Sequence, residues 1–289
     1  MKKINFTKTV ASGNDFVIIE KNSLSAIRYP CLAGRQALSA IAKMICDRKY
    51  GAGADGLLVL ERIKAANLSM RVFNADGSEA EMCGNGARCV ALYSAREQRT
   101  ENREQRKISI ETKAGIIEAR VDDDFVKIKL TDPKDIKLDI PLKINNRNLR
   151  VSFINTGVPH AVIFVEGLDK IDVTNIGRQI RYHKKFAPAG TNVDFVEILN
   201  SNSIKLRTYE RGVEDETLAC GTGSVASVLL SAICYPCLAG RQALSANQVN
   251  AHIRSGEALK VYFNKIGAGF EDVWLEGKAK IVYKGEYYV

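Results

Sequence analysis

Short apolar runs bounded by Gly, Asn, Asp or Pro recur along the chain: Phe16–Ile19, Leu57–Leu60, Ile108–Ile110, Ile116–Val121, Val126–Leu130, Val151–Ile154, Ala161–Val165, Val193–Ile198, Ile204–Leu206 and Val273–Leu275. Their length and their flanking turn residues predict strands. Apolar residues at helical spacing predict helices over Leu38–Arg48, Ala87–Arg96, Val173–Arg181 and Ser224–Ile233. Turns rather than full helices separate most of the runs, which favours hairpins and antiparallel sheet over parallel crossover units. The pattern predicts an α/β (α+β) protein rich in antiparallel strands. At 289 residues, two domains are expected.

Two kinds of internal repetition are superimposed on this pattern. One is diverged: Cys83-Gly-Asn-Gly-Ala and the residues to Ala95 align with Cys220-Gly-Thr-Gly-Ser and the residues to Ala232. Upstream of them, Arg71-Val-Phe-Asn74 aligns with Arg207-Thr-Tyr-Glu210 at almost the same offset. Strand, loop, Cys-Gly-x-Gly and helix therefore occur twice, as two equivalent halves would have them. The other is identical residue for residue: Tyr29–Ala40 returns as Tyr235–Ala246 at a different spacing. Identity beside diverged surroundings points to one short element inserted at two places. Its Pro and Gly content suits surface loops or helix ends, where a passenger is tolerated.

Composition narrows the function classes. The net charge of +9 allows a nucleic-acid partner, but no stretch interleaves aromatic and basic residues, so none is expected. No apolar run reaches the length of a membrane helix, and none follows Lys2-Lys3 as a signal peptide requires. A soluble, cytoplasmic protein without a membrane partner is expected. The chain has seven cysteines, three histidines and no pair of C-x-x-C motifs, so no metal site is expected. Cys234-Tyr-Pro-Cys237 alone resembles a redox motif, but it straddles the edge of the second inserted copy. Gly51-Ala-Gly-Ala-Asp-Gly56 fits a dinucleotide fingerprint in spacing only. A helix precedes it and a strand follows, the reverse of the required order, so a tight helix-to-strand turn is expected there.

The Cys-Gly-x-Gly starts carry more chemistry. A cysteine just ahead of a helix meets free backbone N–H groups and the positive end of the helix dipole, which predicts a lowered thiol pKa. The glycines allow a ligand close to the backbone, so the same N–H groups can hold a carboxylate. A single such motif is ambiguous between a nucleophile, a redox thiol and a buried structural cysteine. Two on equivalent halves suit the inversion of a stereocentre, in which one group removes the α-proton and another delivers a proton to the opposite face.

Ser12-Gly-Asn-Asp-Phe16, Phe73-Asn-Ala-Asp-Gly-Ser-Glu79, Met82-Cys-Gly-Asn-Gly-Ala-Arg-Cys89, Tyr209-Glu-Arg-Gly212 and Ala219-Cys-Gly-Thr-Gly223 together resemble the signature blocks of the diaminopimelate epimerases. Gly157-Val-Pro-His160 and Thr191-Asn192 fall where that family keeps further site residues. The resemblance implies two topologically similar domains, each a mainly antiparallel sheet wrapped around a central helix, with the site in the cleft between them. Their implied extents are 1–128, completed by a C-terminal strand over 279–289, and 129–278. It further implies conversion of LL-2,6-diaminopimelate to the meso form, in lysine and peptidoglycan precursor biosynthesis, with no cofactor. Cys83 and Cys220 would be acid and base. Gly84, Asn85, Gly221 and Thr222 would bind the reacting carboxylate, and Asn14, Asn74, Asn192, Glu210 and Arg211 would position the substrate. His160 would support the geometry, and a homodimer is left open.

Taken singly, these residues have plainer readings. Asn14 and Asn74 suit turns, Arg211 suits an ion pair with Glu210 or Glu214, and His160 suits a hydrogen-bonded loop. Val158 departs from many relatives, which have Asn there, and Gly56 from some, which have Gln. The competing functions are a proline or hydroxyproline racemase-like enzyme and, in another class, a thiol redox protein using Cys234 and Cys237.

Overall fold

The computed structural model describes residues 3–24, 34–97, 106–145, 147–239 and 247–289. The chain divides into two units, one formed by 1–128 with 277–289 and the other by 129–276.

In the first unit, β1 (Lys3–Ala11) and β2 (Asn14–Glu20) form a hairpin, and α1 (Arg35–Cys46) leads to β3 (Gly56–Glu61), parallel to β2. The antiparallel β4 (Leu68–Asn74) and the short β5 (Glu79–Ala80) follow. Then come α2 (Gly84–Glu97), β6 (Arg106–Thr112) parallel to β4, and the antiparallel β7 (Gly115–Asp122) and β8 (Phe125–Lys129).

The second unit retraces this course. It has β9 (Lys134–Ile144), β10 (Arg147–Asn155), β11 (Pro159–Phe164), α3 (Val173–Arg181) and β12 (Asn192–Asn200), the last parallel to β11. Next are β13 (Ser203–Glu210), the short β14 (Asp215–Thr217) and α4 (Gly221–Ala239). It ends with β15 (Gln248–His252) parallel to β13, then β16 (Ala258–Ile266) and β17 (Gly269–Lys278). The chain's last strand, β18 (Lys280–Tyr288), pairs antiparallel with β1 just as β9 pairs with β10.

The burial pattern explains why each sheet wraps. α2 is buried continuously from Asn85 to Leu92, and α4 from Gly223 to Ala232, so these helices have no solvent face. A helix buried all round has to be the centre of its unit. Around α2 the strands present continuous apolar runs, as in Phe16–Ile19, because both faces of the sheet are covered. Val17 and Ile19 pack with Ile41 and Ile45 of α1 on the outer face. Val193 and Phe195 play the same part with Val173 and Ile180 of α3.

The apolar runs and the helix α3 emerge where the pattern predicts them. β1, β9, β15 and β16 do not stand out as runs, because their solvent-facing positions carry Lys, Asp, Asn or Tyr and interrupt the apolar residues. The glycine motif at 51–56 is the helix-to-strand turn: the N–H of Gly51 bonds the Asp47 carbonyl at 2.9 Å, that of Gly53 the Ile45 carbonyl at 3.1 Å, and Gly53 has φ +70°.

The inserted copies are not equivalent passengers. Residues 29–33 and 240–246 lie outside the described residues. In the first copy, Arg35–Ala40 forms the opening half of α1, Leu38 packs against the core, and Ser39 Oγ donates to the Gly77 carbonyl at 2.7 Å. In the second, Tyr235–Ala239 continues α4 beyond its buried stretch. The first copy thus supplies the start of a packed helix, the helix end rather than the surface loop of the two settings its composition suits.

Glu79, on β5 with a fully buried side chain, is paired with Arg71 at 2.7 Å, Arg35 at 3.0 Å and Lys113 at 2.6 Å. Hydrogen bonding to Arg71, then to Lys113, outweighs burial and holds its carboxyl down at about 2. A folded pKa below the unfolded one stabilises the fold above about pH 4.5, and this contribution is lost as the pH falls towards 2. Discounted for solvent around the three cations, it is on the order of 2 kcal/mol. Glu79→Gln should therefore destabilise the protein at pH 7 and much less at pH 2.5, as read by urea unfolding. An equal loss at both values would mean the ion pairs contribute nothing.

Candidate active site

Cys83 immediately precedes α2, and the Gly86 N–H points at its Sγ from 3.5 Å while the Ala87 N–H bonds its carbonyl at 2.8 Å. Behind it a chain of side chains is locked. Asp55 accepts from Asn14 Nδ2 at 3.0 Å, and Asn14 Oδ1 accepts from Asn85 Nδ2 at 2.8 Å. Asn85 Oδ1 in turn accepts from Arg88, which also donates to Ser12 Oγ at 2.6 Å. Arg88 is fully buried inside the unit. Both ends of the Asn85 amide are thus engaged within the unit, by Asn14 and by Arg88. Asp55 is itself tied to Arg48 at 2.8 Å, and its carbonyl receives the Ala75 N–H at 3.1 Å. That bond fixes the neighbouring Asn74, whose side chain donates to Ser78.

Cys220 precedes α4 in the same way, with the Ser224 N–H on its carbonyl at 2.9 Å. Its Sγ lies 3.5 Å from Thr222 Oγ1. Thr222 Oγ1 meets His160 Nε2 at 3.0 Å, and His160 Nδ1 meets Asp194 Oδ2 at 2.7 Å. Both members of the His–Asp pair are fully buried. Thr208 donates to the other Asp194 oxygen at 2.7 Å. Asn192 Nδ2 lies 3.1 Å from the Pro159 carbonyl and 3.5 Å from His160 Nε2, while its Oδ1 accepts the Arg211 N–H at 2.8 Å.

Burial, followed by the nearby Glu210 and Asp194, pushes the Cys220 thiol well above its ordinary range. Hydrogen bonds from Thr222 and the Gly223 N–H pull it down, as expected at a helix start, but they lose. Position before a helix therefore does not lower the Cys220 thiol pKa, because desolvation is the larger effect. Burial likewise raises the Glu210 carboxyl.

The units can be superposed residue by residue from their strand registers. Arg71 reaches Glu79 as Arg207 reaches Glu216, both at 2.7 Å. Carried across the sheets, this match puts Asn74 opposite Glu210, Leu58 opposite Asp194 and Phe16 opposite His160. Gly86 lies over Leu58 as Gly223 lies over Asp194. The two cysteine sites thus share a backbone and differ beneath it: an apolar floor under Cys83, a buried His–Asp pair under Cys220.

The sequence profile of the diaminopimelate epimerases matches residues 6–135 and 152–260. The chain is 38% identical to the diaminopimelate epimerase of Methanocella arvoryzae, covering 99% of this chain and 97% of that one. It is 40% identical to that of a Hydrogenobaculum species, covering 96% of each. The chain belongs to the diaminopimelate epimerase family. Among solved structures, a Bacillus anthracis phenazine biosynthesis protein of the PhzF family aligns over 100% of both chains, with TM-score 0.72 and 18% identity. A hydroxyproline epimerase from Agrobacterium vitis aligns over 99% of this chain and 91% of its own, with TM-score 0.66 and 14% identity. At those identities the likeness concerns the fold.

In this family member, the residues singled out from the sequence fall into two clusters, Cys83, Gly84, Asn85 and Asn14 in one unit and Cys220, Gly221, Thr222, His160, Asn192, Glu210 and Arg211 in the other. Asn74 joins the first through Asp55. The plainer reading of Arg211 fails, since Glu214 is taken by Arg181 at 3.0 Å and Arg211 makes no ion pair among the described residues. Asp194 joins its cluster without being marked by any motif, and Asp55 joins the other from within the glycine motif at 51–56, which reads only as a turn. The Thr191-Asn-Val-Asp194 stretch carries an acid into the apolar opening of the run Val193–Ile198, and that is the available signal for Asp194. Among the described residues no cluster of His, Cys, Asp and Glu could hold a metal ion, and no helix is long and apolar enough to cross a membrane. The Cys237 side chain lies outside the described residues, so the C-x-x-C reading rests on Cys234 alone, 3.8 Å from Ser152.

Proposed function

We propose that the chain epimerises LL-2,6-diaminopimelate to the meso form, a step of lysine biosynthesis, using Cys83 and Cys220 as its acid and base and no cofactor. The observation that carries this reading is the duplicated helix start, with a cysteine at the same backbone position of each half. One thiolate removes the α-proton while the other thiol protonates the opposite face, and the roles exchange in the reverse direction. The free N–H groups at Gly84, Asn85, Gly221 and Thr222 stabilise the enolate-like carboxylate that develops between the two transfers. Burial, followed by Glu210 and Asp194, favours the thiol form of Cys220. Asn14, Asn74, Asn192, Glu210 and Arg211 position the substrate, Arg211 offering its guanidinium to the distal carboxylate. His160 supports the Cys220 side.

A chiral assay of the purified protein with LL-diaminopimelate, and separately with proline and hydroxyproline, tests the reading. Meso product should form without added pyridoxal phosphate, and in deuterium oxide it should carry one solvent deuteron at the inverted carbon. Turnover of proline alone, or a strict need for pyridoxal phosphate, would reject it.

A further inference from the structure

Asp194 is fully buried beneath the start of α4 and reaches the site only through other side chains, so neither proton transfer uses it directly. We infer that Asp194 is a positioning residue that locks His160 as the Nδ1–H tautomer, so that its Nε2 serves as the proton acceptor for Cys220. This rests on the epimerase reading.

The hydrogen bonds around the ring determine the tautomer. An ionised carboxylate only accepts, so the 2.7 Å contact with Asp194 requires a proton on Nδ1. Asn192 is oriented independently, because its Oδ1 accepts a backbone N–H from Arg211 and its Nδ2 donates to the Pro159 carbonyl. Its amide nitrogen therefore faces His160 Nε2 as a donor, and Nε2 must present a lone pair. Thr208 fixes the far oxygen of Asp194, which leaves the near one for the ring.

In this arrangement Cys220, Thr222 and His160 form an ordered path. The Cys220 S–H proton passes to Thr222 Oγ1, and the hydroxyl proton of Thr222 passes to His160 Nε2. Products are a thiolate and an imidazolium facing the Asp194 carboxylate. No proton is lost and no co-reactant is needed. Such a path suits a buried thiol that must become a base whenever the reaction runs in the opposite direction. The other unit has no counterpart, since Phe16 and Leu58 occupy the equivalent places. Orienting carboxylates of this kind act on turnover rather than on binding.

The test is Asp194→Asn, which keeps the shape and removes the charge, with Thr208→Val as a milder companion that leaves the carboxylate in place. Turnover by Asp194→Asn should fall on the order of 10²-fold or more with KM within about threefold, and Thr208→Val should fall by an intermediate factor. The tautomer is read directly by ¹⁵N spectra of histidine-labelled protein, in which only three histidines contribute. The wild type should show His160 protonated at Nδ1 and unprotonated at Nε2, and Asp194→Asn should lose this state. These spectra need no substrate, so they judge the positioning role even if diaminopimelate proves not to be turned over. An Nε2–H tautomer in the wild type would overturn the inference. So would a folded Asp194→Asn protein with turnover within about threefold of normal. If Asp194→Asn does not fold, Thr208→Val decides: unchanged turnover and an unchanged spectrum overturn the inference.

Discussion

Cys83→Ala and Cys220→Ala should each abolish net epimerisation while leaving substrate binding within a few-fold of the wild type. Removing a positioned acid or base costs about 10²–10⁴ in rate, and more where no other group can reach that face of the carbon. Binding should survive, because the N–H groups that open α2 and α4 belong to the backbone, and Arg211 and Glu210 are untouched. Neither substitution should unfold the protein. Cys83 is half-buried, and although Cys220 is buried, only one sulfur atom is lost. Calorimetric binding of diaminopimelate, followed by turnover of each isomer in deuterium oxide, separates the possibilities. Near-normal epimerisation by either variant would sink the two-thiol mechanism. Lost binding alongside lost turnover would mean the cysteines are structural. The variants should also differ: Cys83→Ala leaves Cys220 with its relay of Thr222 and His160, whereas Cys220→Ala leaves Cys83 at a helix start that lies over the apolar side chain of Leu58.

Much of the fold and of the site is legible in the amino-acid sequence. Phe16–Ile19 and Leu57–Leu60 read as strands because both faces of the sheet are covered, so burial leaves an unbroken apolar run. β9 does not read as a strand, since Lys-Asp-Ile-Lys-Leu-Asp-Ile-Pro-Leu-Lys-Ile alternates and carries a proline. The central helices begin earlier than the apolar spacing predicts, at Gly84 and Gly221, because helix propensity penalises glycine while tertiary packing here requires it. The site divides along the same line. Cysteines before Gly-x-Gly stand out because their chemistry is local to the motif. The environment that sets the Cys220 thiol comes from β11, β12 and β13, far away in sequence, and no local rule weighs its burial against the helix start. Asp194 is hidden for a related reason: a single acid in a strand acquires meaning only when His160 is found 2.7 Å from it.

The difference between the two floors gives a sharper expectation, in which the same glycine-to-alanine change costs far more in one half than in the other. Gly86→Ala points its new methyl at the end of the Leu58 side chain, 3.1 Å from Cδ2, and a leucine tip can yield. Overpacking of this kind costs about 1 kcal/mol, near the low end of its range. Gly223→Ala drives the methyl into the Asp194 carboxylate, overlapping Oδ1, the oxygen that Thr208 holds at 2.7 Å. This group cannot yield cheaply. Moving it breaks a buried hydrogen bond and pulls Oδ2 from His160, and keeping it in place lifts the first turn of α4 along with Cys220 and Thr222. Breaking a buried hydrogen bond to a carboxylate costs about 1.5–3 kcal/mol, and an ångström of misplacement at a reacting group about 10²-fold in rate. Gly223→Ala should therefore lower stability by about 3 kcal/mol and turnover by at least about 10²-fold. Gly86→Ala should remain within about tenfold of the wild type. Urea unfolding and steady-state turnover of the two variants, made side by side, measure both quantities. Equal effects in the two halves would mean that the carboxylate beneath α4 is no more rigid than a leucine. The roles given to Asp194 and to the packing at Gly223 would then fall together.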